Sequence, residues 1–244
     1  MMRALKWRRI LLGPRDTIQL LRRAPLLSQR SLHDDTIEKD IVRTFSDDDW
    51  FHEHVEPLAN ILSTYAYTNE GMGYVQGMAY MVFVLYRCFY EDCPLHAETD
   101  TYYAFHTLIN AVRPIYPIHS RDLTPADFHK RIGVLVFLTI SSEDQRLARR
   151  VKELPEVVEL LTRQTIPSIF GNKFSYGEIV LIFDFILDPS PSETFHRIVC
   201  VLAATIVALG PVFLSMDPAK IMEIVQIKEY YDVTKTITLA RRLL

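Results

Sequence analysis

Apolar residues recur three and four positions apart along nearly the whole chain, and this restricts the fold more than any other feature of the sequence. In "DWFHEHVEPLANILSTYAYT", residues 49–68, the spacing puts Phe51, Val55, Leu58, Ile61, Leu62 and Tyr65 on one face of a single helix. "YVQGMAYMVFVLYRCFY" (74–90) is apolar nearly all round and reads as a central buried helix. Residues 99–116 form a further helix, closed by Pro114 and Pro117. Ser142, Glu143 and Asp144 open another; Pro155 and the cap residue Ser175 start two more, and one begins at Ser192. No stretch alternates with period two over several segments, and eight glycines in 244 residues are too few for a turn-rich β protein. The expected class is all-α, in N- and C-terminal helical halves that meet in "PIHSRDLTPADFHKR" (117–131).

The run 198–216, "IVCVLAATIVALGPVFLSM", has no charge, but Gly210-Pro211 breaks it after about 13 residues, too few to cross a bilayer. It reads as a buried helix, and the chain as cytoplasmic and peripheral on endomembranes at most. Three cysteines, Cys88, Cys93 and Cys200, make no disulfide framework and read as reduced thiols. The net charge of −3 conceals an asymmetry. Residues 1–30 hold eight Lys/Arg against one acid, a net of +7, which leaves −10 for the rest. Such a start suits a mitochondrial presequence or a basic helical face for acidic protein or anionic membrane. Trp7 and "ILLG" favour a piece of the folded domain. The basic stretch lacks the aromatic interleaving of a nucleic-acid surface, so no nucleic-acid partner is expected.

Two short stretches carry chemistry. In "IEKDIVRTF" (37–45), Ile37, Ile41 and Phe45 make a helical stripe, with Asp40 on its shoulder and Arg43 three residues on. At that spacing a carboxylate can orient a guanidinium, although most such pairs are ordinary surface contacts. In "GMGYVQGM" (71–78), Gly71 and Gly73 permit a tight turn, Gln76 falls in the first turn of the following helix, and Gly77 leaves the backbone bare beside it.

Together the two resemble the IxxDxxR and YxQ signatures of the TBC domain, the all-helical GTPase-activating domain for Rab-family GTPases. "WRRILLG" (7–13) resembles that family's entry segment, "IPSIFGNKFSYGEIVLIFDFIL" (166–187) its later F…WD segment with Phe183 where tryptophan is usual, and "FHRIVCVLAATI" (195–206) the helix that follows. The resemblance spans nearly the whole chain in the family's order. It implies one TBC domain over 1–244, with 1–118 carrying both motifs and 119–244 forming the second half.

It further implies that Arg43 is an arginine finger and Gln76 a glutamine finger, both supplied in trans to a Rab-family GTPase in its GTP form. Asp40, Thr44, Tyr74 and Gly77 are then supporting residues. GTP and magnesium belong to the partner, and the chain is expected to need no cofactor and no metal of its own. It has no GxxxxGK[ST] loop for a nucleotide. The same implication makes it a monomeric regulator of membrane trafficking. A non-catalytic TBC domain that binds Rab as a scaffold or effector is the competing reading. A metal-dependent phosphohydrolase built on His33-Asp34 is disfavoured, because no histidine precedes the pair and His52 and His54 diverge on a helix.

Overall fold

The fold is described from a computed structural model, for residues 2–23, 29–45, 48–113, 116, 125–188 and 190–244. Fifteen α-helices follow one another in these residues, and no strand occurs among them. The first seven are α1 (Met2–Leu12), α2 (Arg15–Arg23), α3 (Asp34–Ile41), α4 (Asp49–Glu53), α5 (Val55–Thr68), α6 (Met78–Tyr90) and α7 (Pro94–Ala111). The remainder are α8 (Pro125–Ser141), α9 (Gln145–Lys152), α10 (Pro155–Thr165), α11 (Tyr176–Leu187), α12 (Thr194–Ala208), α13 (Gly210–Ser215), α14 (Pro218–Ile224) and α15 (Val233–Leu243).

The all-α expectation holds, and several helix ends follow their local chemistry. Ser175 and Glu178 form a capping box at the start of α11, satisfying amide groups that the first turn leaves free. Asp144 caps α9 by accepting from the N–H groups of Arg146 and Leu147, both at 2.9 Å. Pro155 occupies the first turn of α10, where its missing N–H costs nothing. The uncharged run divides as expected: α12 ends at Ala208 and α13 starts at Gly210. Among the described residues no helix is long and apolar enough to cross a membrane.

Other boundaries differ from the sequence expectation. Residues 49–68 are two helices, α4 and α5, with His54 between them at φ −121°, ψ 18°. Pro57 explains the break, since it has no N–H to give to Glu53 and its ring would strike that carbonyl. The expected apolar face survives, with Phe51, Leu58, Ile61, Leu62 and Tyr65 buried. α7 starts earlier than expected, at Pro94. The close of that helix at Pro114 and Pro117 falls outside the described residues. α12 starts two residues after Ser192, behind a 3₁₀ turn over Pro191–Glu193. Residues 117–124, most of the expected boundary between halves, also lie outside the described residues, and α8 already begins at Pro125.

Helices from both sides of that boundary share one apolar core. α6 lies at its centre, packed by α3, α5, α7 and α11, while α12 is packed by α8, α11 and α15. α1 fastens the chain's start to its later part. Trp7 is fully buried, its ring 5.6 Å from that of Phe183, and its Nε1 donates to Asp184 at 2.9 Å. Arg3 and Lys6 pair with Asp184 and Asp188. Arg8 is buried and donates to Asp100 at 2.6 Å and to Asp92, and Arg22 also pairs with Asp100. Arg8 and Asp100 are nearly fully desolvated, so each depends on the other for compensation. Four of the eight N-terminal cations are thus matched internally, and the charge left for an anionic surface is smaller than the sequence count.

Trp7→Ala should empty a large volume between α1 and α11 and orphan one Asp184 contact. A loss of about 3–5 kcal/mol in urea-unfolding free energy is expected.

Candidate functional site

The segment that carries Arg43 is not the continuous helix its spacing implies. α3 ends at Ile41, and a tight turn follows in which Arg43 N–H and Thr44 N–H donate back to Asp40 and Ile41 carbonyls at 3.0 Å. Phe45 therefore leaves the Ile37–Ile41 stripe. It takes φ +44°, rare for a bulky side chain, and so reaches Tyr80 and Phe83 with ring centroids 5.0 and 4.4 Å away. Arg43 is left exposed on the outside of the turn.

Asp40 does not grip Arg43. Its carboxylate is buried and accepts from the Tyr74 hydroxyl and, at 2.8 Å, from the Gly77 N–H. The expected Asp40–Arg43 pair is absent among the described residues, because a carboxylate out of water takes the donors buried with it and the turn carries Arg43 outward. Burial and then the neighbouring Asp40 charge push the Tyr74 phenol far above its ordinary pKa, so it remains a donor. Thr44 is buried, and its hydroxyl donates to the Asp40 carbonyl at 2.9 Å, closing the same turn.

Gln76 also differs from expectation. It lies two residues before α6 rather than in its first turn, and it is exposed. Gly77 is the N-cap at φ +101°, where a Cβ would meet the Pro167 carbonyl carbon at 3.0 Å and the Ser168 nitrogen at 3.1 Å. Glycine is needed there for both backbone shape and closeness. Gly73 has φ +61° and faces His33, whose Nε2 would stand 2.5 Å from an added Cβ. Gly71 has open space and no such requirement.

The turn that Gly77 touches is itself unusual. Ile169 and Phe170 both have positive φ, +46° and +64°, and both are fully buried. Such backbone persists where the surroundings over-determine it, here the core below and the Gly77 loop above. The buried Tyr116 hydroxyl donates to the Pro167 carbonyl at 3.2 Å.

These elements enclose a cleft of about 500 Å³ with both Arg43 and Gln76 on its lining. Tyr80, Tyr116, Arg163, Gln164 and Asn172 are among the other polar residues of its wall. None of these five stands in a short motif, and the last three come from a stretch more than a hundred positions after Arg43. A second cleft of about 430 Å³ also has Arg43 and Tyr80 on its lining, and it contains Lys173. Lys173 is only 5% exposed, and its ammonium donates to the Gln164 side-chain oxygen (3.1 Å) and the Val225 carbonyl (2.9 Å). Burial, with Lys228 nearby, pulls its pKa down to about 8. All three cysteines are free; Cys88 and Cys200 are buried, and burial raises the thiol pKa of both.

A family model described as the Rab-GTPase-TBC domain matches residues 15–208, and the chain belongs to that family. It is 25% identical over 194 residues to TBC1 domain family member 13 of Mus musculus and of Homo sapiens. Those alignments cover 78% of this chain and 48% of the relatives, so the chain spans about half the length of the curated relatives it matches. The fold is similar to the crystal structure of the Ypt/Rab-GAP domain of Gyp1p, with a TM-score of 0.79 at 17% identity, covering 99% of this chain and 86% of that one. It is similar also to a Chlamydomonas flagellar RabGAP TBC domain, with a TM-score of 0.69 at 15% identity over 100% of this chain and 79% of that one.

Two measurements check the site's construction. Tyr74→Phe removes one charge-assisted hydrogen bond from Asp40 without changing shape, and should lower unfolding free energy by about 1.5–3 kcal/mol in a denaturant titration. Between pH 8 and 10.5 the unfolded chain keeps the Lys173 proton that the folded chain has released. Raising the pH through that window therefore relieves the cost of a buried charge, and stability contributed at Lys173 rises. The difference in melting temperature between wild type and Lys173→Met should shift in favour of wild type from pH 8 to pH 10.5, and stay flat below pH 7.

Proposed function

We propose that the chain activates a Rab-family GTPase in its GTP form, with Arg43 as arginine finger and Gln76 as glutamine finger. The observation that carries this reading is that the two side chains are exposed and line one cleft, although 33 positions separate them in sequence.

The physical need is well defined. Hydrolysis of GTP spreads negative charge over the transferred phosphoryl oxygens, and the reaction requires an in-line water. A guanidinium brought in by another protein stabilises that charge and is worth about 10³–10⁵-fold in rate. Arg43 is suited to this role: its guanidinium is a planar donor fork, it is exposed, and it has no ion pair among the described residues. A carboxamide can donate and accept at once, which suits Gln76 to holding the attacking water. Asp40, Tyr74, Thr44 and Gly77 act behind these two by fixing the backbones from which they project. GTP and magnesium arrive with the partner. The chain works as a monomer in the cytoplasm, at the surface of the endomembranes whose traffic the Rab controls.

Single-turnover GTP hydrolysis across a panel of Rab proteins tests this reading. Arg43→Ala should remove most of the stimulation, about 10³-fold or more, with an unchanged melting temperature. Arg43→Lys should recover little, since it lacks the planar fork. Gln76→Ala should also be impaired, and the double variant should fall short of the product of the two effects because both groups act in one transition state. Undiminished activity in Arg43→Ala would refute the assignment. A wild-type chain that binds GTP-loaded Rab without accelerating hydrolysis would favour the scaffold reading.

A further inference from the structure

The cleft around Arg43 and Gln76 has a third wall that neither motif marks. Among the described residues that line it, the charged ones are Asp40, Arg43 and Arg163, and the Asp40 carboxylate is buried and occupied by Tyr74 and Gly77. The exposed charge that these described residues bring to the cleft is therefore positive, in a chain whose net charge is −3.

Arg163 stands in the last turn of α10, exposed and without an ion pair or hydrogen bond to any described residue. The amide side chains of Gln164 and Asn172 lie on the same wall. The Gln164 side-chain oxygen accepts from the Lys173 ammonium, which can only donate, and the Gln164 NH₂ has no hydrogen bond to any described residue. Asn172 Oδ1 and the Thr165 carbonyl both lie 3.3 Å from Ser168 Oγ and share its one proton, and the Asn172 NH₂ has no hydrogen bond to any described residue. The Thr162 hydroxyl of that wall donates back into α10, to the Val158 carbonyl at 2.7 Å. The result is a guanidinium beside two amide donors, on a helix end and a turn held rigidly from behind. A guanidinium with amide N–H groups on the same wall suits a planar anion.

We infer that Arg163, with Gln164 and Asn172, forms a docking site for a carboxylate side chain on the surface of the GTPase. The inference rests on the function proposed above and adds to it a contact that acts in recognition. Arg43 and Gln76 work on the phosphoryl group and the water, whereas this wall holds the partner before and during the reaction. Phosphate oxygens of the nucleotide would suit the same donors, and kinetics separates the two sources. A carboxylate contact is made equally in ground and transition states and changes KM alone, while a contact to the transferred phosphate changes kcat.

The experiment has two arms, with Arg163→Ala, Arg163→Glu and wild type compared in each. In single-turnover hydrolysis with the responsive Rab, Arg163→Ala should raise KM about 10-fold with kcat unchanged, and Arg163→Glu should raise it further. In equilibrium titration with Rab loaded with a non-hydrolysable GTP analogue, the same variants should lose affinity by a similar factor, and the salt dependence should flatten. The titration does not need hydrolysis, so it reports on Arg163 even where the chain fails to stimulate any Rab and the catalytic reading falls. Melting temperatures should be unchanged, as befits an exposed side chain. A structural role would lower them and leave salt dependence alone. Unchanged KM and affinity in Arg163→Ala overturn the docking site, as does a fall in kcat at constant KM. Binding of no Rab by the wild-type chain overturns the docking site and the proposed function together.

Discussion

A single carboxylate joins the two parts of the candidate site. Asp40 stands near the end of α3, and one of its carboxylate oxygens, Oδ2, accepts from both the Tyr74 hydroxyl and the Gly77 amide. Because the group is buried, leaving it without these donors would be expensive, and the geometry that supplies them is correspondingly fixed. One neighbour of this lock is the turn bearing Arg43, whose N–H is held by the Asp40 carbonyl. The other is the loop bearing Gln76, one residue before Gly77. The two exposed side chains thus inherit their relative placement from a bond neither of them makes, which is how a site can be stiff in its mount and free at its tips.

Further support comes from behind. The Gly77 loop rests on the Pro167–Ser168 backbone, and that turn carries two consecutive bulky residues at positive φ. The strain in Ile169 and Phe170 is held by their burial in the core, and the turn is tied to Tyr116. The cleft is therefore a junction of three segments, each of which is shaped by the others. This agrees with the similarity to known TBC structures at 17% and 15% identity, where the arrangement of helices persists while most side chains differ.

The class of fold, the central burial of residues 78–90 and the caps of α9 and α11 were legible in the sequence, since each rests on periodicity or on local hydrogen bonding. So were the exposed positions of Arg43 and Gln76 in one place, through the paired motifs. The role of Asp40 was misread because a three-residue spacing makes neighbours only while the helix continues, and α3 stops at Ile41. Burial then gave the carboxylate to Tyr74 and Gly77, and burial depends on the whole fold. The split at His54 could have been read from Pro57. Arg163 and Gln164 gave no signal, and Asn172 was legible only as part of the segment 166–187, with no role attached. They are common polar residues whose meaning comes from which of their atoms are already engaged.

The fastening of α1 bears on how the chain assembles. Trp7 and Asp184 are 177 positions apart, and α1 has charged and aromatic partners on α6, on α7 and on or just after α11. During synthesis the first dozen residues emerge from the ribosome long before residues 183–188 exist to receive them. Until then Trp7, Arg3 and Lys6 have no finished seat, and the non-local contact can close only late. α1 is in this sense among the last pieces of the fold to be secured, and a nascent chain halted before α11 would carry Trp7, Arg3 and Lys6 without the residues that seat them.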